Sequence, residues 1–299
     1  MSSIFLLFIC LGLGMLVGRY GNAPAGLAPA LNWWVLNIAI TALLLHLTPQ
    51  LEFSLNLWFL CCSMWLSFGL SWLFFAVLGR FAGWTRSETG ALTLMSALGN
   101  TAFVGFPVVE ALYGHAGLQF AIVTDQTGSF TVFAIGGSMF ASLHTGRSVS
   151  VAGVFKRIIR FPPFVAFWCG VVVGVLGGWP ELLDTTLQRL GSSLTPIALF
   201  AIGLQLRLVP QRAQAVPVAV ALGWKLLIAP AIVFAVGTVA GVPELERSVA
   251  ILEAAMPPAV GALLLCQQHE FEPQLANTIL GLGLLIAPAT LYIVNATLV

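Results

Sequence analysis

Asp125, in "AIVTDQTGSF", is a carboxylic acid set in an otherwise apolar run, with Gln126, Thr127 and Ser129 following it. Two further ionisable residues share that predicament. Glu253 lies in "ILEAAMPPAVGALLL", one helical turn before Pro257 and Pro258, and Lys225 lies in "LGWKLLIAP". A charge at the centre of a membrane helix costs from about 2.5 kcal/mol upward, so such residues usually pair, line a cavity or exchange an ion. One reading is a buried lysine–carboxylate pair that only fixes packing. The functional reading is that Asp125 or Glu253 exchanges a proton or ion, with Gln126 extending a hydrogen-bonding wall and Lys225 neutralising a carboxylate or attracting an anion.

The surrounding chain makes these runs membrane spans. Of 299 residues, 59% are hydrophobic and 8% charged, where a soluble domain carries about 25% charged residues. Twelve Lys and Arg nearly balance eleven Asp and Glu, so no charge excess points to a nucleic-acid partner, and none is expected. The five cysteines show no metal or redox spacing, and no cofactor is expected. The amino terminus ends in Arg19 and lacks the basic start of a secretory signal, so it reads as a retained first span.

A span needs about 20 apolar residues. Cutting at polar and Gly/Pro clusters predicts ten, at 3–19, 29–48, 56–79, 89–113, 117–142, 162–179, 190–208, 215–240, 247–268 and 274–297. With both termini outside, the inward loops carry Arg19, Arg80, Arg86, Arg147, Lys156, Arg157, Arg160, Arg207 and Arg212. The outward loops carry only Arg189 and Arg247, a bias that assigns the inside. The outward loops also hold acids, among them Glu52 and Asp184.

The polar connection "HTGRSVSVAGVFKRIIRFPP" leaves five spans on each side. An odd number per half gives the halves opposite orientations, as in inverted-repeat transporters. The expected organisation is a first repeat over 1–145, a cytoplasmic linker over 146–161 and a second repeat over 162–299. The fourth-span "SETGALTLMSALGNTAFVGFP" overlays the ninth-span "LERSVAILEAAMPPAVGALLL" without a gap, setting Gly99–Asn100 against Pro257–Pro258.

Those two places are helix breaks. A proline inside a helix removes a hydrogen bond and clashes with the preceding turn, at about 3 kcal/mol or more. The freed backbone is tolerated at membrane depth only against protein or a water-filled cavity. Both breaks fall about ten residues into their spans, near mid-bilayer. Gly105 and Pro107 would let the fourth span resume. If the broken helices cross, their half-helix amino ends, each roughly half a positive charge, would favour an anion. Elsewhere, Glu110 reads as a solvated helix end, and His46 with "SSLTPIALF" as candidate lining of an outer vestibule.

The run "GNTAFVGFPVVEALYGHAGLQFAIVTDQTGSF" resembles the auxin efflux carrier family, as do "LEAAMPPAVGALLLCQQHEFEP" and "PIALFAIGLQL". The resemblance covers most of the chain. It implies an all-α membrane protein of ten transmembrane helices in two inverted five-helix repeats, with crossed, broken fourth and ninth helices, similar in fold to sodium/proton antiporters and bile-acid symporters. It also implies a carrier of small organic anions. Carried over by motif, the substrate-binding residues are Asn100, Thr101, Pro107, Pro257 and Pro258, with Asp125 nearby. The short central loop is of the compact bacterial type, and Pro–Pro stands where the plant carriers have Asn–Pro, which separates this chain from auxin itself.

The expected function is secondary transport of a mono- or dicarboxylate across the cell inner membrane by alternating access. A coupling proton or sodium ion, membrane lipids and a second copy forming a homodimer complete the partners considered. A sodium or proton antiporter of the same fold is the alternative. An intramembrane enzyme is disfavoured, because the histidines lie near span ends or in loops and Asp125 is the only intramembrane Asp.

Overall fold

A computed structural model describes residues 2–21, 23–24, 26–51, 57–145, 150–205 and 215–299. Glu52, Arg147, Arg207 and Arg212, counted above in the loop charges, lie outside them. The described residues are helical, without a strand. In chain order the helices are α1 (Ser2–Tyr20), α2 (Leu27–Gln50), α3 (Leu57–Ala82), α4 (Arg86–Ala97), α5 (Thr101–His144) and α6 (Val151–Ile159). They continue with α7 (Pro162–Val175), α8 (Glu181–Gln205), α9 (Ala215–Val239), α10 (Glu244–Ala254), α11 (Val260–Gln268) and α12 (Pro273–Thr297).

Six of these (α2, α3, α5, α8, α9 and α12) are long and apolar enough to cross a membrane. Taking α6 and α7, which bend by 65°, as one broken span makes seven. The chain is therefore a multi-pass membrane protein. The predicted fourth and ninth spans fall below this length because each is divided, into α4 and the start of α5, and into α10 and α11. The rest of α5 carries the predicted fifth span, after a sharp break at Gly114, whose φ of 62° a glycine adopts without strain. The predicted linker contains α6, with Val151, Phe155 and Ile159 exposed.

The chain forms two compact units. The first comprises 1–54, 102–122 and 155–206, and the second 55–101, 123–154 and 207–299. Each draws on both sides of the linker.

In the first unit, α1 packs along the second half of α8 through small residues. A Cβ at Gly203 would meet the Leu11 carbonyl oxygen and lie 2.8 Å from Met15 N. Without a hydrophobic drive between helices in lipid, such close approach is what holds them. The end of α2 is clasped similarly: Gly170 and Gly174 of α7 pack on Thr48 and Pro49, and Gly191 of α8 on Leu43. Trp179 Nε1 donates to the Leu45 carbonyl at 2.8 Å, and His46 Nδ1 lies 2.7 Å from Asp184 Oδ1.

In the second unit, α4 and α10 are the innermost helices. Gly90–Ala97 and Ser248–Ala254 are buried all round, which explains why neither run shows an amphipathic stripe. Helix α4 starts at a reciprocal cap: Thr85 Oγ1 accepts from Glu88 N, and Glu88 Oε2 accepts from Thr85 N. Helix α10 opens on Pro243 with Glu244 and Glu246 in its first turn, where acids suit the helix dipole.

Candidate functional site

Helix α4 stops at Ala97, and α5 begins at Thr101; α10 stops at Ala254, and α11 begins at Val260. The intervening segments lie antiparallel. Asn100 N–H donates to the Pro257 carbonyl at 2.8 Å, Ala259 N–H donates to the Leu98 carbonyl at 2.9 Å, and Gly99 faces Pro258. Proline has no N–H, so the pairing draws one amide from each segment, that of Asn100 and that of Ala259. Gly283 of α12 makes room for the arrangement, since a Cβ there would lie 2.6 Å from Pro258 Cδ.

This register sets the electrostatics. With Asn100 opposite Pro257 and Leu98 opposite Ala259, α5 starts beside the residues just after the end of α10, and α11 starts beside the end of α4. Positive and negative helix ends therefore alternate around the pair. The first N–H groups of α5 and α11, and the last carbonyls of α4 and α10, have no partner within their own helices.

Two charged side chains meet these ends. Asp125 is buried, and its Oδ1 accepts a hydrogen bond from the Thr101 hydroxyl at the start of α5. Its Oδ2 accepts from Gln126 Nε2 at 2.7 Å. Lys225 is also buried, and its Nζ donates to the Ala254 carbonyl, the last of α10, at 2.9 Å. Both residues lie in widened turns, Thr124–Ser129 and Trp224–Ile228, where hydrogen bonds skip one residue further. Such single-turn widenings often mark functional sites. The Trp224 turn is fixed from α3: Trp224 Nε1 donates to Ser71 Oγ at 2.7 Å, and its ring stacks on Phe74 at 4.1 Å.

Glu253 is fully buried and has no hydrogen-bond partner on either carboxylate oxygen among the described residues. Lys225 donates not to it but to the neighbouring Ala254 carbonyl. Gln126 Oε1 and Ser129 Oγ are buried without partners as well, while Thr127 is satisfied locally by the Val123 carbonyl.

The structure thus brings together Asn100, Thr101, Asp125, Gln126, Lys225, Glu253, Pro257 and Pro258 in the second unit. Pro107 is buried six residues beyond Thr101 and belongs to the first unit. Glu110, read from sequence as solvated, accepts from Thr195 Oγ1 at 3.2 Å. His46 is bonded to Asp184, a pairing 138 residues apart for which the sequence offers no signal. A cavity of about 500 Å³ lies elsewhere in the second unit, along α9 and α12, lined by Ala219, Leu222, Leu226, Leu282 and Ile286, with Thr278 and Thr290. It contains none of the residues above.

Comparison with known proteins adds a second line. Residues 1–294 match the family described as "Membrane transport protein". An "Uncharacterized transporter" of Methanothermobacter thermautotrophicus is 28% identical over 212 residues, 71% of this chain and 69% of that protein. One of the same name from Methanocaldococcus jannaschii is 26% identical over 226 residues, 73% and 69% of the two chains. A protein of Rhizobium meliloti named "Putative malonate transporter" is 24% identical over 290 residues, covering 93% of this chain and 89% of that one.

Proposed function

The chain belongs to the membrane transport protein family, and from that premise we propose that it is a secondary carrier moving a small mono- or dicarboxylate across the cell inner membrane by alternating access. The observation that carries the reading is the paired break, where two helices stop and two start against each other and the first amides of α5 and α11 have no partner within their own helices. The Rhizobium meliloti relative, similar along nearly the whole chain, has a three-carbon dicarboxylate in its name.

In this reading Asn100, Thr101, Pro257 and Pro258 shape the place that receives a carboxylate, and Pro107 holds the helix that leaves it. Asp125, supported by Gln126, exchanges a proton or ion as the solute binds, with Glu253 and Lys225 completing the charge balance. The chain acts as a carrier and not as an enzyme. The two-by-five inverted arrangement is supported by the make-up of the two units, each of which takes stretches from either side of the linker.

The test is transport by purified protein in proteoliposomes. Saturable, counterflow-competent uptake of malonate or a related carboxylate is expected. If none is bound or moved under any proton or sodium gradient, the proposal fails. A second reading, exchange of sodium or protons, is favoured by the two buried carboxylates, Asp125 and Glu253, the latter without a hydrogen-bond partner among the described residues. Cation scanning by solid-supported membrane electrophysiology, without any organic anion, separates the two.

A further inference from the structure

Lys225 is placed for a purpose that pairing with a carboxylate does not describe. Among the described residues no carboxylate lies within 4 Å of its Nζ. Instead Nζ donates to the Ala254 carbonyl, the last of α10. Its ammonium also lies against the other break: a Cβ built on Gly99 would stand 2.9 Å from Nζ and 3.4 Å from Cε. The lysine therefore caps α10 through its last carbonyl and lies beside Gly99, two residues past the end of α4.

Each helix carboxyl end carries roughly half a negative charge, so the two together amount to about one. One ammonium balances that pole. We propose that Lys225 is a resident cation seated between the two carboxyl ends, a positioning residue whose charge holds the breaks in register. It keeps the helix starts and Asp125 in place, and it fills a seat that a free cation would otherwise occupy. Glu253, one residue before the carbonyl that the lysine caps, has no hydrogen-bond partner among the described residues. The absence of a side chain at residue 99 is part of the seat. The inference is independent of which solute the protein moves, since its readout is the stability of the purified chain.

Three variants separate charge from bulk. Lys225→Met keeps most of the stem and removes the charge. Lys225→Ala removes both and opens space. Gly99→Ala keeps the lysine and obstructs its place. Thermal unfolding in detergent, followed by tryptophan fluorescence, is expected to drop by about 5–10 °C in both Lys225 variants. Methylammonium chloride should restore at least half of that loss in Lys225→Ala. It should leave the unsubstituted protein and Lys225→Met unmoved, and tetramethylammonium, which has no N–H, should restore nothing at equal ionic strength. Gly99→Ala should lose a similar amount alone and add little on top of Lys225→Met. The proposal is overturned if Lys225→Met keeps the original midpoint, which would make bulk the only requirement, or if methylammonium fails to stabilise Lys225→Ala. Should Lys225→Ala not be recovered folded, additive losses in the Gly99→Ala/Lys225→Met pair overturn it equally.

Discussion

At the scale of single residues, the arrangement around Asp125 is the most exposed to test. Its carboxylate accepts from Thr101 and Gln126, and a hydrogen bond to a charged group is worth about 1.5–3 kcal/mol. Asp125→Asn keeps the shape and removes the charge, so initial uptake rates in proteoliposomes should fall about tenfold to a hundredfold. If Asp125 exchanges the coupling ion, the residual rate should also lose its dependence on external pH or sodium. Thr101→Val removes one donor and leaves the acid, so a smaller loss with the ion dependence retained is expected. That Asp125, Glu253 and Lys225 stand out was legible in the sequence, because each charge stands in a run that should have none, and all three are buried. Their partners were not. The lysine bonds to a backbone carbonyl, a group every residue has, and the widened turns at Thr124–Ser129 and Trp224–Ile228 leave no mark in residue type.

At the scale of elements, the Pro257–Pro258 break announced itself, since two prolines cannot continue a helix. The fourth-span break was legible only through its overlay on the ninth, and the antiparallel pairing of the two was not legible at all. Replacing both prolines by alanine removes the obligation to break. We expect α10 and α11 to merge in part, at the expense of the Ala259–Leu98 hydrogen bond, with transport abolished and membrane insertion and yield unchanged. A contrasting case is the seam between α1 and α8. Gly203→Ala sets a Cβ against Leu11 and Met15 backbone, which has no side-chain freedom with which to yield. The midpoint of thermal unfolding should fall while transport rates of the surviving protein stay near the original. The His46–Asp184 contact should behave likewise. Asp184 is 36% exposed, so Asp184→Asn is expected to cost only about 1 kcal/mol, read as a small shift of the same unfolding midpoint.

At the scale of the whole molecule, what remains to be placed is the chain's direction through the bilayer. The proposed direction rests on charge: nine Lys and Arg fall in loops on one side of the predicted spans and two on the other, and basic loops tend to stay in the cytoplasm. The ten predicted spans would put both ends together, and on the proposed reading the bias would put them outside. Each compact unit combines stretches from both halves of the chain. Single cysteines at Ser3, Ser150 and Thr297, in a chain whose five native cysteines have been replaced, make the matter measurable. A membrane-impermeant maleimide added to intact spheroplasts should label positions 3 and 297 at once and position 150 only after permeabilisation. Labelling of position 150 alone would reverse the orientation and the assignment of its basic loops. Labelling at one terminus without the other would require an odd number of spans. That outcome would remove the two-by-five arrangement, and with it the reason for treating the breaks in the fourth and ninth spans as counterparts.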